Sequence, residues 1–381
     1  MKQQLAGAVV LVSLVTTACA GPGASGRAPS TEEAPAATAK AALSPAEARE
    51  SLRAAEAALA DAMAKKGSAE GIAASAAPDA LLLLEGQYTL RGVDAIRAKL
   101  SAEPLERDGV LSAEALVWDV SADGRMGYAV GQVLLDSTGG AAGGAAAPGA
   151  AGATAAPGAT TPPAPGVSSP GAPAAPGASA APAAPGAPGA PPKMKPGKRY
   201  QRYLTVWTRT PEGPWLLAAA VLGRARGPLA VPPSFSAGST DTAPIASAAS
   251  SDVLAEVFAA DSAFSEQSAR DGMGQAFVTW AAPNAVIPGG PSGLFGHEAI
   301  KEGYGPIPRE VSLRWEPKLG GAASSGDMAY TVGRAVSVSP GPDKNPETHY
   351  VKYLSVWRRQ PDGQWRYVAD SGNGNPGPDG P

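Results

Sequence analysis

Two acidic residues stand where amphipathic helices should carry apolar ones. Leu52, Glu56, Leu59 and Met63 follow the i, i+4, i+7, i+11 spacing of one helical face, which puts Glu56 on the apolar stripe. Leu254, Val257, Phe258, Asp261 and Phe264 repeat the arrangement and put Asp261 there. A carboxylate facing a core must find donors, or its charge costs several kcal/mol. Two roles are open for such a group. It can accept hydrogen bonds from a Trp indole or an Arg and fix the helix against a sheet. Alternatively, it is a pocket acid with a raised pKa, able to act as a base or to hold a cationic ligand. Asp261 has the richer set of companions, with Trp280, Trp315, Tyr330 and Arg334 as candidate cavity residues.

Aromatic residues form the second chemical pattern. In "YLTVW", Tyr203, Thr205 and Trp207 share one face of a strand, and Tyr353, Ser355 and Trp357 repeat this in "YLSVW". They are read either as core packing or as an aromatic wall for a flat apolar ligand, with Trp357 the ligand-facing candidate. His297 and His349 are far apart, and with Cys19 the only cysteine they form no metal motif by spacing. Nucleophile-elbow, phosphate-loop and dinucleotide fingerprints do not occur in the context they need. No cofactor is expected.

The elements that would position these residues occur twice. "AAEAALAD" from Ala54 echoes "AADSAFSE" from Ala259, "AAPDALLL" from Ala76 echoes "AAPNAVIP" from Ala281, and "RGVDAI" from Arg91 echoes "FGHEAI" from Phe295, all at offsets of 204–205. Trp118 aligns with Trp315 at 197, and "GYAVG" with "AYTVG" at 202. The offset then falls to 150 for "YLTVWTRTPEGPW" and "YLSVWRRQPDGQW". The first copy therefore carries about fifty extra residues between two strands, an Ala/Pro/Gly-rich loop insertion at 137–197 expected to be disordered. Such a loop costs closure entropy only logarithmically in its length.

Each copy spells one order of elements. In the first, Ser44-Pro45-Ala46-Glu47 is a capping box opening a helix to about Lys66, and a shorter helix runs near Glu70–Ala76. A strand at Ala80–Leu84 and a helix around Asp94–Leu100 come next, followed by strands near Ala113–Val120, Arg125–Leu135, Tyr200–Thr208 and Trp215–Val221. Helices followed by mostly antiparallel strands make each module α+β. The domain reading is a signal peptide over 1–19, a disordered tether over 20–43, modules at 44–228 and 251–370, a linker at 229–250 and a disordered tail at 371–381.

The order helix, "AAPDA", Gly-x-x-Ala-Ile, "Y-x-V-G", "YL-S/T-VW-x-R" and "G-x-W" resembles the SnoaL-like branch of the nuclear-transport-factor-two-like superfamily, which includes the ketosteroid isomerases. The resemblance covers nearly all of both modules. It implies two cone-shaped modules, each a curved, mostly antiparallel sheet wrapped around a long N-terminal helix, with a pocket at the open end. It also implies pairing through the sheets, so that two cones in one chain would form an intramolecular pseudo-dimer. Isomerases of the family place an aspartate base after the "D-A" element. Leu84 and Gly289 occupy those positions here, and Glu85 points to the opposite face, so steroid-type isomerisation is disfavoured.

The first residues read as an export signal: Lys2, an apolar run from Leu5 to Val15, then Thr16-Thr17-Ala18 before Cys19. Cys19 resembles the acylated cysteine of a bacterial lipoprotein, which implies a membrane partner through the N-terminal lipid and an outer-membrane location facing the periplasm. The alternative is a secreted protein cleaved near Ala18 or Ala20. A net charge of −3, spread along the chain, argues against nucleic acid as a partner. The favoured expectation is a non-catalytic, lipid-anchored envelope protein binding a small apolar molecule or a protein partner. The alternative is an isomerase, cyclase or hydrolase using Asp261 as general base.

Overall fold

The computed structural model describes residues 43–107, 109–138, 197–238 and 250–378. The first helix, α1 (Pro45–Ser75), opens with the capping box: the Ser44 amide donates to Glu47 Oε2 at 2.8 Å, and the Glu47 amide donates to Ser44 Oγ at 3.3 Å. It bends at Gly67, whose φ of +82° suits glycine. The Glu106 carboxylate accepts the Ser68 amide freed by the bend, at 3.1 Å. The two helices read in the sequence are thus both present, meeting at the non-helical Gly67.

The first sheet uses β1 (Ala76–Leu84), β2 (Leu90–Arg91), β3 (Val110–Val120), β4 (Met126–Asp136), β5 (Lys198–Thr208) and β6 (Leu216–Ala225), with α2 (Val93–Ala102) between β2 and β3. Its spatial order is β2-β1-β6-β5-β4-β3, with β1 parallel to β6 and the other pairs antiparallel. The second module repeats every element: α3 (Ser250–Asp271), α4 (Met273–Trp280), β7 (Ala281–Ile287), β8 (Leu294–Phe295), α5 (His297–Tyr304), β9 (Ser312–Ala322), β10 (Met328–Pro340), β11 (Pro346–Arg359) and β12 (Trp365–Gly374). Its order is β8-β7-β12-β11-β10-β9. Two mixed six-stranded sheets, each with a long helix over its inner face, give the α+β fold class.

Strands β4 and β5 flank residues 139–196 and are neighbours in one sheet, in register up to Asp136 opposite Lys198. One step further, the Ser137 amide donates to the Gly197 carbonyl at 3.1 Å, and the Gly197 amide donates to Ser137 Oγ at 2.9 Å. The hairpin stem is therefore closed before the excursion begins. In the second module the same two strands are joined by a turn of only Gly341–Asn345, closed by the Gly341 amide on the Asn345 carbonyl.

Two boundaries differ from the sequence reading. Strand β12 continues to Gly374, paired with Val351, so the tail expected from 371 begins inside the sheet. The stretch expected as a linker from 229 is packed: Leu229 and Ala237 are buried, and Phe235 meets Phe295 edge-on at 5.2 Å.

Residues Ala42–Pro381 form one unit, within which the outer faces of the two sheets meet. Leu81, Leu83, Val130, Leu204 and Val206 share one buried cluster with Val332, Leu354 and Val356. Polar groups fix the register of that contact. Asn373 Nδ2 donates to the Leu83 and Leu222 carbonyls at 2.9 and 2.7 Å, and Arg202 donates to the Pro288 and Pro291 carbonyls at 2.7 Å each. Buried Arg358 donates to the Val120 carbonyl and pairs with Asp119 at 3.2 Å.

Because the stem is already paired, replacing 139–196 by a short turn is expected to leave the fold intact. Shortening the loop should raise stability by about 2 kcal/mol. Urea unfolding of the shortened chain checks this, and loss of cooperative unfolding would count against it.

Candidate functional site

Glu56 enters the first module from α1 and meets donors projecting from β5. It accepts Tyr203 Oη at 3.0 Å, Thr205 Oγ1 at 2.5 Å and Trp207 Nε1 at 2.6 Å. These are the three residues whose alternation gave them a common face. The tyrosine reaches the helix only because its ring lies over Gly131: a Cβ there would sit 2.4 Å from Tyr203 Cζ. The same holds for Gly333, where a Cβ would fall 2.7 Å from the Tyr353 ring. The glycine of each "Y-x-V-G" is thus the seat of the tyrosine in the next strand. Burial pushes the Glu56 carboxyl above its ordinary range, and its three hydrogen bonds pull the other way.

The second module rearranges this clasp. Asp261 is fully buried and accepts Trp315 Nε1 at 2.6 Å and Tyr353 Oη at 2.8 Å, with a further hydrogen bond from Thr331. Aspartate is one methylene shorter than glutamate. Trp357 Nε1, the counterpart of the Trp207 donor, instead donates to Thr331 Oγ1 at 3.0 Å. Thr331 stands where the first module has Ala129. Burial raises the Asp261 carboxyl to about 6 against those hydrogen bonds.

The tryptophan alignment needs correction. Trp315 lies opposite Ala335, as Ala113 lies opposite Val133, so its counterpart is Ala113. Trp118, opposite Ala129, corresponds to Gly320 opposite Thr331. The offset therefore stays at 202 through both strand pairs. In the second module Phe258 packs against Gly320, in the space Trp118 takes in the first.

Around Asp261 the interior is aromatic. Phe264 lies 4.5 Å from Trp315, 4.9 Å from Phe277, 5.7 Å from Tyr367 and 5.9 Å from Trp280, between ring centroids. Trp357 is wholly buried, so it is a wall of the core and not of an open pocket. Trp280 is half-buried, and its indole donates to Gln267 Oε1 at 2.8 Å.

Asp370 on β12 is the residue that sequence reasoning missed. It is paired with Ser355 across the sheet, and the Ser355 hydroxyl donates to its carboxylate. That pair shares the inner face with Tyr353. Burial, reinforced by nearby Asp261, raises the Asp370 carboxyl to about 7. Unlike Asp261 it stays partly exposed, and Gly372, two residues along the same face, is exposed. The first module has Ala220 at this position, opposite Thr205. The signal was therefore available in the comparison of "LAAAV" with "YVADS", as an acid replacing alanine on a core-facing strand position. A carboxyl poised near neutrality can donate a hydrogen bond when protonated, or accept one and balance a cation when ionised.

Other predicted residues lie elsewhere. Strand alternation puts Tyr330 and Arg334 on the opposite face of β10 from Thr331 and Ala335, and Arg334 lines a cleft together with Trp315 that neither Tyr330 nor Trp280 lines. Arg334 there bridges to Glu316 at 3.3 Å. His297 sits at the start of α5 with Nε2 3.0 Å from the Val278 carbonyl oxygen, beside an open cleft of about 1000 Å³. A second cleft of about 380 Å³ lies by Arg334. Neither cleft is lined by Glu56, Asp261 or Asp370. Among the described residues there is no cluster of three or more metal-ligating side chains and no helix long and apolar enough to cross a membrane. Cys19 lies outside the described residues.

No protein-family model matches the chain, and no curated protein matches it significantly. Solved structures similar to it include a ketosteroid isomerase-like protein from Erwinia carotovora, at 19% identity and a TM-score of 0.28 over 32% of this chain and 95% of that one. A nuclear transport factor 2-like superfamily protein from Salmonella enterica is similar at 15% identity and a TM-score of 0.28, over 34% of this chain and 95% of that one. A further similar protein, from Novosphingobium aromaticivorans, has 15% identity and a TM-score of 0.27 over 32% and 82% of the two chains.

The raised Asp370 pKa fixes a sign for stability. An acid shifted from 3.8 to about 7 keeps its proton in the native state after the unfolded chain has lost it. Stability from this group is therefore present below pH 4 and is lost as pH rises towards 7. Asp370→Asn is expected to raise the thermal midpoint at pH 8 and to change it little at pH 4. Scanning calorimetry at both pH values reads this, and an equal shift at both would contradict it.

Proposed function

We propose that this is a non-catalytic binding protein whose second module holds a small, largely apolar molecule at its open end. The carrying observation is Asp370, a partly exposed acid with Ser355 on an otherwise aromatic interior, at a position where the first module has alanine. One donor or cationic group on the molecule would meet Asp370. The first module, whose acid is closed by three donors, would serve as the structural partner on which the second is mounted.

The alternative, Asp261 as general base, has less support. Its carboxylate is fully buried and already accepts hydrogen bonds from Trp315, Tyr353 and Thr331. Taking a substrate proton would require access and a free lone pair, and a base must come within hydrogen-bond reach of the proton it removes. Placement in a bacterial envelope through an acylated Cys19 belongs to the same proposal and rests on the N-terminal sequence alone.

Native mass spectrometry of the full chain, purified gently from its envelope, tests the reading. A retained small molecule is expected on the wild type and is expected to be lost from Asp370→Leu. Retention by both proteins, or conversion of the released molecule on incubation with the protein, would overturn the proposal.

A further inference from the structure

The cleft beside Arg334 lies on the outer face of the second copy, at positions whose charge differs from the first. Its walls are the outward-facing residues Arg314 and Glu316 of β9, Arg334 and Val336 of β10 and Tyr350 of β11, closed at one side by Pro378. The registers place each of these against a counterpart in the first module. Ser112 and Glu114 stand on β3, Gln132 and Leu134 on β4, and Tyr200 on β5. The apolar and aromatic positions are kept in kind, as is the glutamate. The two that change are Ser112 to Arg314 and Gln132 to Arg334, and both become cationic.

In the first module the chain leaving β6 turns back to this face: the Leu229 amide donates to Gln132 Oε1 at 2.7 Å, and its buried side chain packs beside Gly293 of the second module. The preceding Gly227-Pro228 recurs as Gly377-Pro378 at the offset of 150, but the residue that follows is leucine in one copy and Asp379 in the other. The second copy has here an open volume of about 380 Å³, within the range of small-ligand sites.

The charges define what would fit. Arg334 is held only loosely, by Glu316 at 3.3 Å and by the Pro378 carbonyl at 3.3 Å. Glu316 is also bridged by Lys318 at 2.5 Å. Arg314 is exposed and makes no ion pair or hydrogen bond among the described residues. Among the described residues one carboxylate thus faces three cations, two of them planar guanidinium forks suited to a second carboxylate.

We infer that this cleft binds a small apolar molecule carrying a single carboxylate, its charge on Arg314 and Arg334 and its body against Tyr350 and Val336. A doubly charged phosphate would fit less well, because Glu316 lies at the same wall. The site is on the opposite face of β10 from Asp261, and it is independent of the reading given to Asp370.

Calorimetric titration of the full chain with 2-naphthoate, and with uncharged 2-naphthamide, tests it. The carboxylate is expected to bind saturably at one site, and the amide roughly tenfold or more weakly. The double variant Arg314→Ser, Arg334→Gln installs the first copy's residues and is expected to weaken naphthoate to about the level of the amide. Should the variant fold poorly, NMR of the wild type replaces it, with naphthoate expected to shift the Tyr350, Val336 and Val351 signals. No saturable binding, equal binding of acid and amide, binding that survives in a folded double variant, or shifts confined to residues around Asp370 would each overturn the inference.

Discussion

A carboxyl group inside an apolar core must be met by hydrogen-bond partners, and this requirement fixes how each long helix lies on its sheet. Glu56 and Asp261 occupy equivalent turns of α1 and α3; Glu56 is met by side chains rising from β5, and Asp261 by Tyr353 of β11 and Trp315 of the edge strand β9. The tyrosines that supply one donor must lie across the neighbouring strand, so that strand needs a glycine beneath the ring. The acid on the helix, the tyrosine on β5 or β11 and the glycine on β4 or β10 are thus one device, although they are distant in sequence. Buried polar groups of this kind favour one register over its neighbours, since a one-residue slip would turn every donor away.

The copies differ in how completely the device is closed. In the first module the acid takes Tyr203, Thr205 and Trp207 from a single strand. In the second, a shorter acid is served by Trp315 and Tyr353, and Trp357 turns to Thr331. The hydroxyl of Ser355, no longer needed at the helix, goes to a second acid, Asp370. Duplication supplies the reason such a change is tolerable. One cone keeps a closed interior and offers its outer sheet face to the other, and the second is free to carry a costly second acid on its inner face.

The order of elements was legible because apolar periodicity and turn residues recur twice, each copy checking the other. The drop in offset from 202 to 150 corresponds to β4 and β5 being adjacent despite the text between them. Glu56 and Asp261 were legible because helical spacing alone puts them on an apolar face. What could not be read was parity across strands. Tyr330 and Arg334 look like neighbours of Trp315, but Trp315 pairs with Ala335, and alternation along β10 then puts both on the other face. The two tryptophans, Trp118 and Trp315, invited an alignment by residue type, whereas register pairs Trp315 with alanine and Trp118 with glycine. Asp370 was hidden for a different reason: inside a strand, a lone acid carries no spacing signal, and only its alanine counterpart marks it as unusual.

The most direct test of the clasp is a double-mutant cycle on urea unfolding of the full chain, using Glu56→Gln, Tyr203→Phe and the pair. If the helix is held to the sheet through this carboxylate, the two changes should couple by about 1 kcal/mol or more. Additive effects, with a coupling near zero, would mean that the helix lies where it does for other reasons.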